Sequence, residues 1–262
     1  MDIQIRPFSR NDQEMRQISD LYNEVVKVKD FYYQFNFDDF KKLLFCNKSF
    51  KDDGAFVALV NEKIVGFACG YIRAGEEEDE SKPAYFNTIF VKPSYQRKYI
   101  GTKLYEEVEK WVKKNGKKRI RSVYLSPVNY PWYIPETEHH NHPGAPAIPV
   151  NTPEYFFLIR HGFDIQGHID AFHLPLSKYE MPERVIKNIE ENKKEGLTVE
   201  VYDPVKHHGI EDFCKKIETT QEGFARAIRY NLNREEPKPF LVGSYNGKVV
   251  GWTGPMYTEE TG

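Results

Sequence analysis

The stretch FVKPSYQRKYIGTKLYEEVEKWVKK, Phe90 to Lys114, limits the possible folds more than any other part of the chain. An apolar run ends at Val91, Pro93 interrupts it, and from Ile100 the apolar residues Leu104, Val108, Trp111 and Val112 recur on one helical face. A strand that feeds an amphipathic helix belongs to a layered α/β domain, in which the helix covers the sheet. The turn between them gathers Gln96, Arg97, Lys98 and Gly101. A helix N-terminus carries unpaired N–H groups and a partial positive charge, so two cations and a glycine there suit an anion such as a diphosphate. A solvated helix cap has the same composition, and the turn alone assigns no ligand.

The flanking sequence supplies the other layers. IQIRPF alternates as a strand, and the following segment sets Met15, Ile18, Leu21, Val25 and Val26 at helical spacing. DDFKKLLF is a second short helix, AFVALV and KIVGFACGYI form a hairpin turning at Asn61-Glu62, and AYFNTIFVKP is a fourth strand. RIRSVYLS is expected as a strand, TPEYFFLIRHGF as a helix capped by Gly162, and FDIQGHIDAFHLPL as two further short strands. The order predicts a mixed α/β (α+β) fold with a twisted, mostly antiparallel sheet flanked by helices. The segment between Pro127 and Val150 contains six prolines, and loops of that length are often functional.

Composition excludes other classes. With 37 Lys and Arg against 39 Asp and Glu, the formal net charge of −2 gives no basis for a nucleic-acid surface. Cys46, Cys69 and Cys214 are odd in number and far apart, unlike a disulfide framework or a thiolate metal site. No apolar run approaches the roughly 20 residues that span a bilayer, and the N-terminus is too polar for a secretory signal, so the expectation is a cytoplasmic protein without a membrane partner.

The register Val91, Pro93, Tyr95, Gln96, Lys98, Ile100, Gly101, Thr102 and Leu104 resembles motif A of the GNAT acetyltransferase superfamily, whose turn follows Q/R-x-x-G-x-G/A. Gln96 and Gly101 fill its ends, and Tyr99 stands at the middle glycine. Asn151, Phe157, Gly162 and Phe163 resemble the family's N-x-x-A-x-x-L-Y-x-x-x-G-F helix, with Leu158 at the tyrosine. The resemblance covers Met1 to about Leu176 and implies a GNAT-like sheet that binds acetyl-CoA as co-substrate. The implied cofactor residues are Phe90, Val91, Gln96, Arg97, Lys98, Tyr99, Ile100, Gly101, Thr102 and Asn151.

The implied reaction is direct attack of an amine on the thioester, the acceptor being a small molecule or a peptide. It needs an oxyanion donor, for which the backbone N–H near Val91 is the candidate, and a base for the attacking ammonium. Where the family often places a strand glutamate, this strand offers Asn87 and Thr88. Tyr155 is the candidate acid for the thiolate, a packing tyrosine being the alternative. Tyr130, Trp132 and Tyr133 are candidates for an acceptor wall or for the loop's own small core. Glu136, Glu138, His139, His140 and His142 do not follow a zinc spacing, and no metal is assigned. The acidic run GEEEDE, placed at the cleft's rim, is either a solvated loop or a lure for a cationic amine.

KIVGFACGYI at Lys63 has a counterpart in KVVGWTGPMY at Lys248, and a strand and a helix precede both. This implies a tandem repeat with domains at 1–189 and 197–262, the second incomplete, joined by a polar linker at 190–196. A hairpin without its neighbouring strand leaves an unpaired edge, so self-association is expected. The alternative to an active enzyme is a degenerate acyl-CoA-binding or scaffold domain supporting a second GNAT domain.

Overall fold

The computed structural model describes residues 2–29, 31–122, 126–132, 148–168, 170, 174 and 176–254. Contacts divide the chain into two compact units, Met1–His173 and Leu174–Gly262.

In the first unit, strands β1 (Gln4–Pro7), β2 (Phe50–Val60), β3 (Lys63–Tyr71), β4 (Ala84–Val91) and β5 (Ile120–Arg121) form one sheet in chain order. The first four pair antiparallel, and β5 joins β4 parallel. One face packs on α1 (Asp12–Val26) and on α2 (Phe37–Phe40), which continues as a π turn over Lys41–Phe45. This layer is largely aromatic: Tyr22 sits among Phe35, Phe40, Phe90 and Tyr130 at centroid distances of 5.1–5.6 Å. The other face packs on α3 (Ile100–Lys114), whose Leu104, Val108, Trp111 and Val112 are buried as their spacing predicts. Because both faces are covered, β2 and β3 are buried along most of their length and do not alternate. The chain reverses at Asn61-Glu62 with φ of 48° and 62°, the left-handed pair that matches the twist of a tight hairpin. Helix α4 (Pro153–Arg160) starts on a Thr152 cap, and Gly162 at φ 82° follows its end.

The second unit consists of α5 (Glu183–Lys194), β6 (Leu197–Val201), α6 (Ile210–Leu232), β7 (Leu241–Tyr245) and β8 (Lys248–Thr253). Its antiparallel sheet runs β6-β7-β8. Helix α6 is interrupted at Gln221 (φ −141°, ψ 50°) and is in effect two helices in sequence.

Two expectations are corrected. Glu190–Lys194, expected within a linker, closes α5. Its charges are the solvent face of a helix on which Lys187 and Glu191 pair one turn apart. Of the two short strands expected after Gly162, Phe163–His168 are irregular, and Ile169, Ala171–His173 and Pro175 lie outside the described residues. The strand expected over RIRSVYLS is described only as Ile120–Arg121, and Val123–Leu125 lie outside.

Candidate functional site

The turn after β4 is held by its own side chains. Gln96 Nε2 donates to the Val91 carbonyl at 2.9 Å, and Lys98 Nζ donates to the Ser94 carbonyl at 2.9 Å while lying over the Tyr95 ring. Arg97 and Tyr99 have φ of 59° and 62°. Tyr99 thus adopts the left-handed conformation that a glycine would take freely, and its ring is 78% exposed to solvent. Among the described residues, no backbone carbonyl accepts from the N–H groups of Ile100, Gly101 or Thr102, and the exposed Arg97 guanidinium has no partner. Three orphan donors and one free cation therefore face outward at a single helix end. Gly101 also has a packing role, since a Cβ there would sit 3.3 Å from Cε2 of Phe157.

The strand beside this turn is open. Lys92 N–H bonds the Val65 carbonyl at 2.9 Å, so Val91, opposite Gly66, turns its own N–H and carbonyl away from β3. On that outer side, among the described residues, β5 pairs with β4 at Ala84–Ile120 and Tyr85–Arg121. Val123–Leu125, which follow β5, lie outside the described residues. Asn87 Nδ2 donates to the Val128 carbonyl at 2.5 Å, so Asn87 ties β4 to the chain beyond β5; a carboxamide supplies no base.

A cavity of about 60 Å³, room for a few waters, opens beside β4. Ile89 and Phe90 of β4, Tyr22 and Val25 of α1, Tyr130 and Glu154 are among its walls. Tyr130 joins a buried chain of hydroxyls: its OH lies 3.0 Å from Thr88 Oγ1, which lies 2.5 Å from the Tyr71 hydroxyl, to which Cys69 donates. Burial pushes the Cys69 thiol up to about 12 and raises the Tyr71 and Tyr130 hydroxyls, so the chain is neutral. Two charged residues missed by sequence reasoning also reach the cavity. Lys29, just past α1, forms an ion pair with Glu154 in the first turn of α4. The available signal was Glu154 at the fourth position of the asparagine-led pattern, where that pattern has alanine.

Other expected residues lie apart from the cavity. Tyr155 is not among its walls, and its ring packs on Phe156. Leu158 is buried in the core beneath α3. Asn151 is exposed, with φ 63°, one residue before the cap. Trp132 bridges to Tyr32, whereas Tyr133, Glu136, Glu138, His139, His140 and His142 lie outside the described residues. The acidic run joins β3 to the end of β4 that pairs with β5, at Ala84 and Tyr85. Its Glu77 is engaged by Lys51, and Lys117 Nζ donates to the Glu76 and Asp79 carbonyls at 2.7 and 2.8 Å. Among the described residues there is no metal-binding cluster, and no helix is long and apolar enough to cross a membrane.

The acetyltransferase (GNAT) family model matches residues 15–131. No curated protein matches the sequence. Among solved structures, the chain is similar to the GCN5-related glucosamine N-acetyltransferase region of a fungal multi-domain GH3 β-N-acetylglucosaminidase, at 15% identity and a TM-score of 0.58. That match covers 94% of this chain and 26% of the other, so the chain spans about a quarter of the fungal protein. AAC(6')-Iy, solved with the bisubstrate analogue CoA-S-monomethyl-acetylneamine, is 18% identical with a TM-score of 0.42, covering 67% of this chain and 99% of that one. An aminoglycoside acetyltransferase from an uncultured soil metagenomic sample, solved with sisomicin, is 20% identical with a TM-score of 0.41, covering 66% and 96%. The family match lies wholly within the first unit and takes in β4, the turn after it and α3, so over residues 15–131 the chain is similar to the GNAT acetyltransferases.

Proposed function

We propose that the first unit binds acetyl-CoA and transfers its acetyl group to an amine that enters at the cavity beside β4. The observation that carries this reading is the turn after β4, where the orphan N–H groups of Ile100, Gly101 and Thr102 and the unpartnered Arg97 meet beside the outward N–H of Val91. The turn suits the diphosphate of coenzyme A, and Asn151 is the proposed contact for its pantetheine arm. Acetyl-CoA supplies an activated thioester carbonyl. The Val91 N–H is the donor placed to receive the oxyanion of amine attack, an interaction worth several kcal/mol in a site from which water is excluded. The leaving thiolate has a reference pKa of about 8.5, so an acid assists it without being obligatory, and Tyr155 is the proposed source.

The acceptor is proposed to be a small amine-bearing molecule, in line with the aminoglycoside and glucosamine N-acetyltransferases that share the fold. The second unit is proposed to repeat the first strand, helix and hairpin of the first, associating through its sheet with another copy of the chain.

Calorimetric titration of the whole chain with acetyl-CoA tests the reading. Saturable binding is expected, weakened about tenfold by Arg97→Glu through loss of one charge-assisted phosphate contact. Arg97 is the better probe than Gly101, because a side chain at Gly101 meets Phe157 whether or not a ligand is present. No binding by the parent would make the first unit a scaffold.

A further inference from the structure

Among the described residues, the cavity beside β4 is lined by ten uncharged residues and two charged ones, Lys29 and Glu154. The two charges are paired to each other, and their side chains are only 20% and 26% exposed. Lys29 Nζ also lies 5.6 Å from the centroid of the Tyr32 ring, another wall of the cavity. Burial first, and then the charge of Glu154, push the Tyr32 hydroxyl well above its ordinary value, so the ring stands beside the carboxylate as a neutral aromatic face.

A carboxylate beside an aromatic face recognises alkylammonium ions. A half-buried carboxylate left without a cation is costly, so a site built to receive an ammonium needs a counter-ion while it waits. Lysine is chemically an alkylammonium on a flexible four-carbon stem and can withdraw without moving the backbone. Lys29 lies on a turn just beyond α1, its N–H bonded to the Val26 carbonyl at 2.8 Å.

We propose that Glu154 and Tyr32 form the subsite for the acceptor's ammonium, and that Lys29 occupies this subsite in the ligand-free chain as a tethered stand-in that the acceptor displaces. The acceptor class is then a primary alkylamine, cationic in solution. This inference rests on the acetyltransferase reading of the same cleft. In the reaction, the attacking nitrogen forms its bond to the acetyl carbon as the carbon–sulfur bond breaks. The bound ammonium first yields one proton to Glu154, the nearest base of the subsite, which frees the lone pair for that attack; the electron pair of the broken bond leaves on sulfur, and the second nitrogen proton passes to the thiolate.

The test uses the whole chain, with 1,6-diaminohexane as probe and 1,6-hexanediol as its neutral isostere. Vacating a site that is about nine-tenths self-occupied tightens apparent affinity about tenfold, so Lys29→Met is expected to bind the diamine about tenfold more tightly than the parent. The double variant Lys29→Met/Glu154→Gln, which leaves no unpaired charge, is expected to lose that binding. Should Lys29→Met melt early, Lys29→Gln keeps the stem and carries the same expectation. The proposal is overturned if vacating Lys29 leaves diamine affinity unchanged or lowers it, as a merely structural strut would. It is also overturned if the diol binds as well as the diamine. Acetyl-CoA titration of the same samples separates the two readings: diamine results as expected, with no acetyl-CoA binding by the parent, would sink the transferase and leave the cation subsite standing.

Discussion

Tyr99 shows how a residue can depart from a sequence pattern and keep its geometry. At φ 62° and ψ 8° its backbone does what the pattern's glycine would do, and its ring points to solvent. A left-handed residue with a Cβ costs about 1–2 kcal/mol, and glycine loosens the unfolded chain by a comparable amount. Tyr99→Gly is therefore expected to leave thermal stability and acetyl-CoA affinity nearly unchanged. Tyr99→Val puts a β-branched side chain at positive φ and is expected to lower the first unit's Tm by about 2–4 °C. Thermal melts and calorimetry of both variants check this; a large gain of affinity in Tyr99→Gly would show that the ring obstructs the site. The positions of Gln96, Arg97 and Gly101 were legible because the turn is local in sequence. The Lys29–Glu154 pair was not, since 125 residues separate its partners and only the tertiary fold brings them together.

Helix α3 approaches the β2–β3 hairpin closely because glycines lie beneath it. A Cβ at Gly70 would sit 2.9 Å from Val108 Cγ1 and 3.1 Å from Trp111. Neither neighbour has room to retreat, so Gly70→Ala is expected to destabilise the first unit by about 1–3 kcal/mol in denaturant unfolding. On the opposite face, Thr88 joins β4 to Tyr71 of β3 and to Tyr130 beyond β5. Thr88→Val keeps the shape, removes the hydroxyl between two buried phenols, and is expected to cost about 1–3 kcal/mol. A loss below about 0.5 kcal/mol in either variant would mean that the packing yields more readily than the geometry implies. Strong periodicity made α1, α3 and the hairpins legible, and Pro93 and the Asn61-Glu62 turn marked their ends. Weak periodicity misled: FDIQGH, read as the start of a strand, is irregular, and EENKKEG reads as a linker although it closes an amphipathic helix.

Across the whole chain, the two sheets share a register as well as an order. In both hairpins the strands step out of register just beyond the turn: Val60 faces Lys63, Leu59 faces Ile64, and Ala58 then faces Gly66. In the second sheet Tyr245 faces Lys248, Ser244 faces Val249, and Gly243 then faces Gly251. A shared bulge is a stronger sign of duplication than the shared residue types, because a bulge is a built feature of a strand pair. The matched register equates Phe56, Ala58 and Val60, which pack beneath α3 together with Ile3 and Ile5, with Leu241, Gly243 and Tyr245 beside Leu197 and Val199. In the second unit this face is open: Val199 is 72% exposed, and Leu197, Val201, Leu241 and Tyr245 are exposed beside it. Among the described residues β8 also has a single neighbour, β7, so an apolar face and an unpaired edge occur together. The self-association proposed above has a second copy of the chain bring the same face and edge and cover both by isologous pairing. Light scattering over a concentration series is expected to report a dimer. Val199→Lys, which places a charge at the centre of the face without disturbing a core, is expected to yield a folded monomer. A parent chain that stays strictly monomeric throughout the series, with hydrogen exchange showing a well-protected β7–β8 hairpin, would refute the association and leave the exposed face without a self-complementary role.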